Sequence, residues 1–152
     1  MEQPAKTFQL HNKVKEVDQR RGLWVVDKPV RVLAHPNPPA RRAGNAILRV
    51  PYDFSKEAYA APGQPVGDRF AYLIHRLDQE TSGLILLSFR FELASELKEL
   101  FYHREISKQY HALVQGLVDD RRGVWRDALR KRRVKGNLRV TTGGGRPNAE
   151  TR

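Results

Sequence analysis

The stretch that most constrains this chain runs from Tyr72 to Leu87: Tyr72-Leu73-Ile74, then His75-Arg76-Leu77-Asp78-Gln79-Glu80-Thr81-Ser82-Gly83, then Leu84-Ile85-Leu86-Leu87. An apolar lead enters a charged turn, which ends at a glycine and drops into a wholly apolar run. Four apolar residues bounded by turn chemistry read as a short strand buried on both faces. His75, Arg76 and Asp78 therefore stand at the mouth of a buried element. Charge is costly there unless it is paired or put to use.

Composition bounds what such a turn can serve. The chain has 152 residues, which is one domain by default. Lys and Arg number 28 against 17 Asp and Glu, for a net charge of +11. That balance points to a polyanionic partner, nucleic acid first and an anionic membrane surface second. There is no cysteine, which excludes disulfides, thiolate metal sites and a cysteine nucleophile. Neither a signal-peptide core nor a run of transmembrane length is present, so a soluble cytoplasmic protein is expected.

The turn resembles the signature of the RluA-type RNA pseudouridine synthases, in which His-Arg-Leu-Asp, two variable residues and Thr-Ser-Gly surround the catalytic aspartate. Here these are His75 to Asp78, Gln79-Glu80 and Thr81 to Gly83. Two further segments are similar to that family. Leu23 to Val26 reads as a strand ending at Asp27-Lys28-Pro29, like the family's Asn/Asp-Lys-Pro turn. A small residue and a glycine usually follow that proline; Val30 and Arg31 stand there instead. Ile106 to Gly116 alternates like a strand and resembles a Lys-x-Tyr-x-Ala-x-Val motif through Lys108, Tyr110, Ala112 and Val114. The resemblance covers about Leu23 to Arg152. The family's third motif, which carries an arginine that pairs with the aspartate, has no match, so an incomplete catalytic domain is expected.

The resemblance implies an α+β fold: a mixed, mainly antiparallel sheet with packed helices, here C-terminally incomplete. It implies RNA pseudouridine synthase activity on ribosomal or transfer RNA, with no metal and no cofactor. Asp78 is then the catalytic carboxylate, acting on the sugar carbon or on a sugar proton; both routes stay open. Tyr110 stacks on the base, His75 orients the turn, and Arg76 holds RNA. A target uridine in folded RNA must be extruded to reach such a site. The alternative is a non-catalytic RNA-binding remnant of the same fold. A glycosidase built on Asp78 and Glu80 is a poor fit, because two carboxylates on one turn do not flank a sugar.

Elsewhere, residues 1–21 read as a polar leader and 22–152 as the partial catalytic domain. Lys28 reads either as an exposed turn lysine or as a phosphate contact. Residues 34–69 read mostly as connector, with a short helix over 41–50. Ser88 is placed to cap a helix over 89–103 whose apolar face is Leu93, Leu97, Leu100 and Phe101. Arg121 to Lys135 is a basic run, with Arg130, Arg132 and Arg133 as candidate RNA-backbone contacts beside Lys108. Gly143-Gly144-Gly145 lacks the Lys-Ser/Thr helix start of a phosphate-binding loop and resembles a family hairpin turn. Oligomeric state is not legible.

Overall fold

The computed structural model describes residues 8–38, 40, 44–64, 69–118, 122–134 and 137–151. The chain divides into two compact units, Met1–Lys108 and Gln109–Arg152.

The first unit is a six-stranded sheet in the order β1-β2-β6-β5-β4-β3. Its strands are β1 (Lys15–Arg20), β2 (Leu23–Lys28), β3 (Tyr52–Asp53), β4 (Ala58–Ala60), β5 (Phe70–Leu73) and β6 (Gly83–Ser88). Every named pair is antiparallel. One helix, α1 (Phe91–Tyr102), follows β6. The α+β expectation therefore holds, but among the described residues a single helix stands where several were expected.

Period-two patterning explains the central strands. Trp24 and Val26 of β2, Ala71 and Leu73 of β5, and Ile85 and Leu87 of β6 are all buried and share one core. Phe8 and Phe89 close it around Trp24, whose ring stacks on Phe89 with centroids 5.4 Å apart. The Trp24 indole N–H donates to a Glu16 carboxylate oxygen at 2.6 Å, so its polar edge is satisfied. The apolar run of β6 is not buried on both faces, as its composition suggested. Leu84 is 54% exposed and Leu86 half-buried, because an antiparallel sheet sets only alternate residues toward this core.

Three further expectations are corrected. Residues 8–20 are not a frayed leader: β1 pairs with β2, and Phe8, His11 and Val14 are buried; residues 1–7 lie outside the described set. The 34–69 connector contains β3 and β4 and supplies Ile47, Leu48, Tyr52 and Tyr59 to the core. No helix forms over residues 44–50, and 41–43 lie outside the described residues, as do Pro65 and Gly67. Extended pairing wins here: Leu10 bridges Leu48, and Leu33 bridges Ala46.

Helix α1 begins two residues later than expected. Arg90 takes the N-cap position without a side-chain cap bond. The Ser88 hydroxyl instead lies 3.1 Å from the Gly22 carbonyl and 2.9 Å from the Arg90 carbonyl, with one proton to share between them, and accepts from the Arg90 N–H, clamping the β6–α1 bend. Leu93, Leu97 and Phe101 are half-buried, Ala94 fully buried and Leu100 exposed.

The second unit has two antiparallel pairs: β7 (Trp125–Asp127) with β10 (Ala149–Thr151), and β8 (Leu129–Val134) with β9 (Asn137–Thr142). Asn148 binds both the N–H and the carbonyl of Leu129, at 2.7 and 2.9 Å, and so joins the β10 approach to the start of β8. Residues 106–116 form no strand, although they alternate; Tyr110 to Val118 are exposed, with no ladder partner among the described residues.

Candidate active site

The candidate site grows from the link between β5 and β6. Where β5 leaves the sheet, Ile74 N–H still donates to the Leu86 carbonyl at 3.1 Å. The Leu86 N–H donates to His75 Nε2 at 3.2 Å. His75 thus substitutes for a ladder partner at the point where the backbone peels away. Its ring stacks on Phe101 of α1, centroids 4.6 Å apart, which fixes its plane. Burial, then the nearby Lys108 ammonium, lowers its pKa and keeps the ring neutral, as an acceptor must be.

Beyond His75, Arg76 turns outward, Leu77 buries into the core, and Asp78 turns outward again. Asp78 is solvent-exposed and lines a groove of about 240 Å³ with Leu33, Ala34, His35, Asn37 and Arg76. The Asp78 carbonyl accepts the Thr81 N–H at 3.1 Å, closing the turn. Gly83, at φ 133°, then starts β6 in a conformation that L side chains rarely adopt.

Lys28 holds this turn from beneath. It is fully buried, and its ammonium donates to the carbonyls of Pro29, Val32 and Gln79 at 3.1, 2.8 and 3.3 Å. An exposed turn lysine is therefore not what the structure contains. All three ammonium donors are occupied by backbone, which leaves none for a phosphate. Burial lowers the Lys28 pKa, while Glu80 and Asp78 raise it in opposition, so the cation lies within electrostatic reach of the candidate carboxylate. Gln79 is gripped twice, since its carbonyl also accepts the Arg31 N–H at 2.7 Å.

Sequence reasoning left His35 in a loop of no stated role, yet it is part of the site. Its Nδ1 lies 2.7 Å from the Pro36 carbonyl and its Nε2 lies 3.4 Å from Arg76 Nη1. The two contacts together require Nδ1–H as donor and Nε2 as acceptor for the guanidinium. The His35 ring stacks on Tyr52, centroids 4.9 Å apart, and meets Phe54 edge-on. Buried Tyr59 donates its hydroxyl to the Ala34 carbonyl at 2.7 Å, tying the His35 segment to β4. A His-Pro pair among prolines reads as loop by composition; only the long-range contacts reveal its use.

The remaining candidates divide between the units. Lys108 is exposed, its ammonium 5.7 Å from the centre of the Phe101 ring. Tyr110 belongs to the second unit, 56% exposed on irregular backbone. Arg130, Arg132 and Arg133 lie on β8, all exposed. Arg130 reaches back to the Gly144 carbonyl and lies against Gly143, so it braces the Gly-rich turn. Arg121 and Lys135 lie outside the described residues. Among the described residues no cluster of three or more His, Asp or Glu is arranged to hold a metal ion. None of their helices is long and apolar enough to cross a membrane.

A carboxylate and a guanidinium on one turn, open to a groove in a strongly basic chain, make a site suited to carboxylate chemistry on a polyanion. The chain belongs to the RNA pseudouridylate synthase family, whose model matches residues 22–151. It is 30% identical over 127 residues to an uncharacterized RNA pseudouridine synthase of Helicobacter pylori (strain J99), covering 83% of this chain and 38% of that protein. It is 31% identical over 97 residues to the mitochondrial pseudouridylate synthase RPUSD4 of Bos taurus, covering 64% of this chain and 24% of that one. A segment of 49 residues is 45% identical to tRNA pseudouridine synthase C of Pectobacterium carotovorum subsp. carotovorum, covering 32% of this chain and 13% of that protein. The chain thus spans less than two fifths of the length of these curated relatives.

Proposed function

We propose that these residues form the aspartate-bearing part of an RNA pseudouridine synthase that isomerises uridine in ribosomal or transfer RNA. The observation that carries this reading is Asp78, exposed and lining a groove with Arg76, on a turn held by backbone bonds. The reaction breaks the C1′–N1 bond, rotates the base and joins C1′ to C5. A proton leaves C5 and one is gained at N1, so no oxidant or reductant is consumed. Asp78 supplies the carboxylate that acts on the ribose.

Arg76, steadied by His35, takes a place against RNA as the target nucleotide leaves its stack. Tyr110 offers a flat face to the everted base, and Lys108, Arg130, Arg132 and Arg133 contact the RNA backbone. Extrusion costs a few kcal/mol, which contacts of this kind offset. The relatives named for tRNA favour transfer RNA as the first substrate to try.

The test is Asp78→Asn in the intact protein. Pseudouridine, mapped by mass in RNA from cells lacking the gene and re-supplied with either form, is expected to vanish with the variant while RNA affinity is retained. Undiminished turnover by Asp78→Asn removes the aspartate from the chemistry. Unchanged pseudouridine content on loss of the gene leaves a binding remnant as the reading.

A further inference from the structure

Arg31 stands two residues after Pro29, where the Asp27-Lys28-Pro29 turn leaves β2. Its φ is 65°, in the left-handed region that costs a side-chain-bearing residue roughly 1 kcal/mol or more. The other non-glycine residues described there have local reasons. Arg21 and Gly22 form the two-residue β1–β2 turn, which demands positive φ at both positions. Arg104 ends α1, its N–H on the Phe101 carbonyl, with Glu105 N–H on Leu100. Glu57 turns β3 into β4 and pairs with Lys98.

Arg31 neither turns a hairpin nor ends a helix. Its N–H is fixed to the Gln79 carbonyl, one residue beyond Asp78. Glycine would make that bond with no strain. The Arg31 side chain is exposed and makes no hydrogen bond or ion pair with another described residue. Local strain persists where something is gained from it, and the one thing glycine lacks here is the guanidinium.

We propose that Arg31 is a phosphate-gripping residue of this site, its guanidinium binding the RNA backbone beside the nucleotide offered to Asp78. A planar cation held by a fixed Cα suits a phosphate oxygen pair. The inference rests on the function proposed above and adds to it a contact that a glycine at this position could not make.

The experiment compares the intact protein with Arg31→Gly and Arg31→Lys. It measures binding of a labelled RNA hairpin carrying a loop uridine across a salt series, together with thermal melts and pseudouridine formation. Arg31→Gly is expected to melt about 2–4 °C higher, as strain is relieved. It should bind about fivefold more weakly at low salt, with a log–log salt slope shallower by about 0.7–0.9, one phosphate contact. Arg31→Lys should keep the slope. An unchanged affinity and slope in Arg31→Gly, or a lower melting temperature, overturns the proposal. If the unaltered protein binds and isomerises RNA and only the Arg31 arm is flat, the Arg31 proposal alone falls; if it neither binds nor isomerises, the functional reading falls first and takes this one with it.

Discussion

At the scale of residues, two side chains set the state of the Asp78 turn. Lys28 is the buried one, with three carbonyls as its partners. Lys28→Met is expected to destabilise the fold by about 2–3 kcal/mol, since those carbonyls lose a charged donor without regaining water. Urea unfolding read by Trp24 fluorescence checks it, and a loss below about 0.5 kcal/mol means that the ammonium is not holding the turn. His75 gives a pH signature. Its folded pKa lies below the ordinary 6.5 because of burial and Lys108. Below pH 6.5 the unfolded chain therefore binds more protons, and stability falls on acidification from that point through the folded value. His11, also lowered by burial and by Arg49, acts in the same direction. Melting temperature should drop between pH 7.5 and 5.5, and His75→Gln should show a shallower drop. Equal slopes in both proteins assign the effect elsewhere.

At the scale of elements, the β5–β6 connection turns on Gly83. A Cβ there meets Leu77 Cδ1 at 3.6 Å, an ordinary contact, so the cost of Gly83→Ala is conformational. About 1–3 kcal/mol is expected, measurable by chemical denaturation; a neutral result would place the turn's strain at another residue. Which elements could be read in advance follows from how local their causes are. β2 and β6 are short apolar runs bounded by turn residues and α1 carries helical spacing, and these were legible as elements, although the run in β6 suggested burial on both faces. β3 and β4 are two and three residues long and stand close to prolines and glycines, too short for any periodic pattern to show. The alternation at 106–116 misled because alternation describes a face, whereas a strand also needs a neighbour to bond. Similarly, Asp78, Arg76 and His75 are picked out by a motif, while His35 is placed by its contacts with Tyr52 and Arg76, both distant in sequence.

For the molecule as a whole, the excess of positive charge matters more than any single pair. Its surface ion pairs, such as Arg20 with Asp18 and Arg126 with Glu150, are exposed on at least one side and contribute little to stability. The remaining basic residues favour a polyanion through counterion release, an effect that weakens steeply with salt. Reversing Arg132 and Arg133 to Glu should lower RNA affinity and flatten its salt dependence while leaving the β8–β9 pairing intact by circular dichroism. An unaltered salt slope means that this hairpin is not at the interface. Tyr110→Phe should lower turnover less than Tyr110→Ala if the ring's main task is stacking; equal losses would assign the role to the phenol.

The Gln79 carbonyl takes bonds from both Lys28 and Arg31, and a carbonyl is the same whichever side chain its residue carries. The anchorage is therefore blind to spelling at that place. The Gln79 and Glu80 side chains are exposed, so a change of side chain at Gln79 leaves the bonds that hold the neighbouring carboxylate in place.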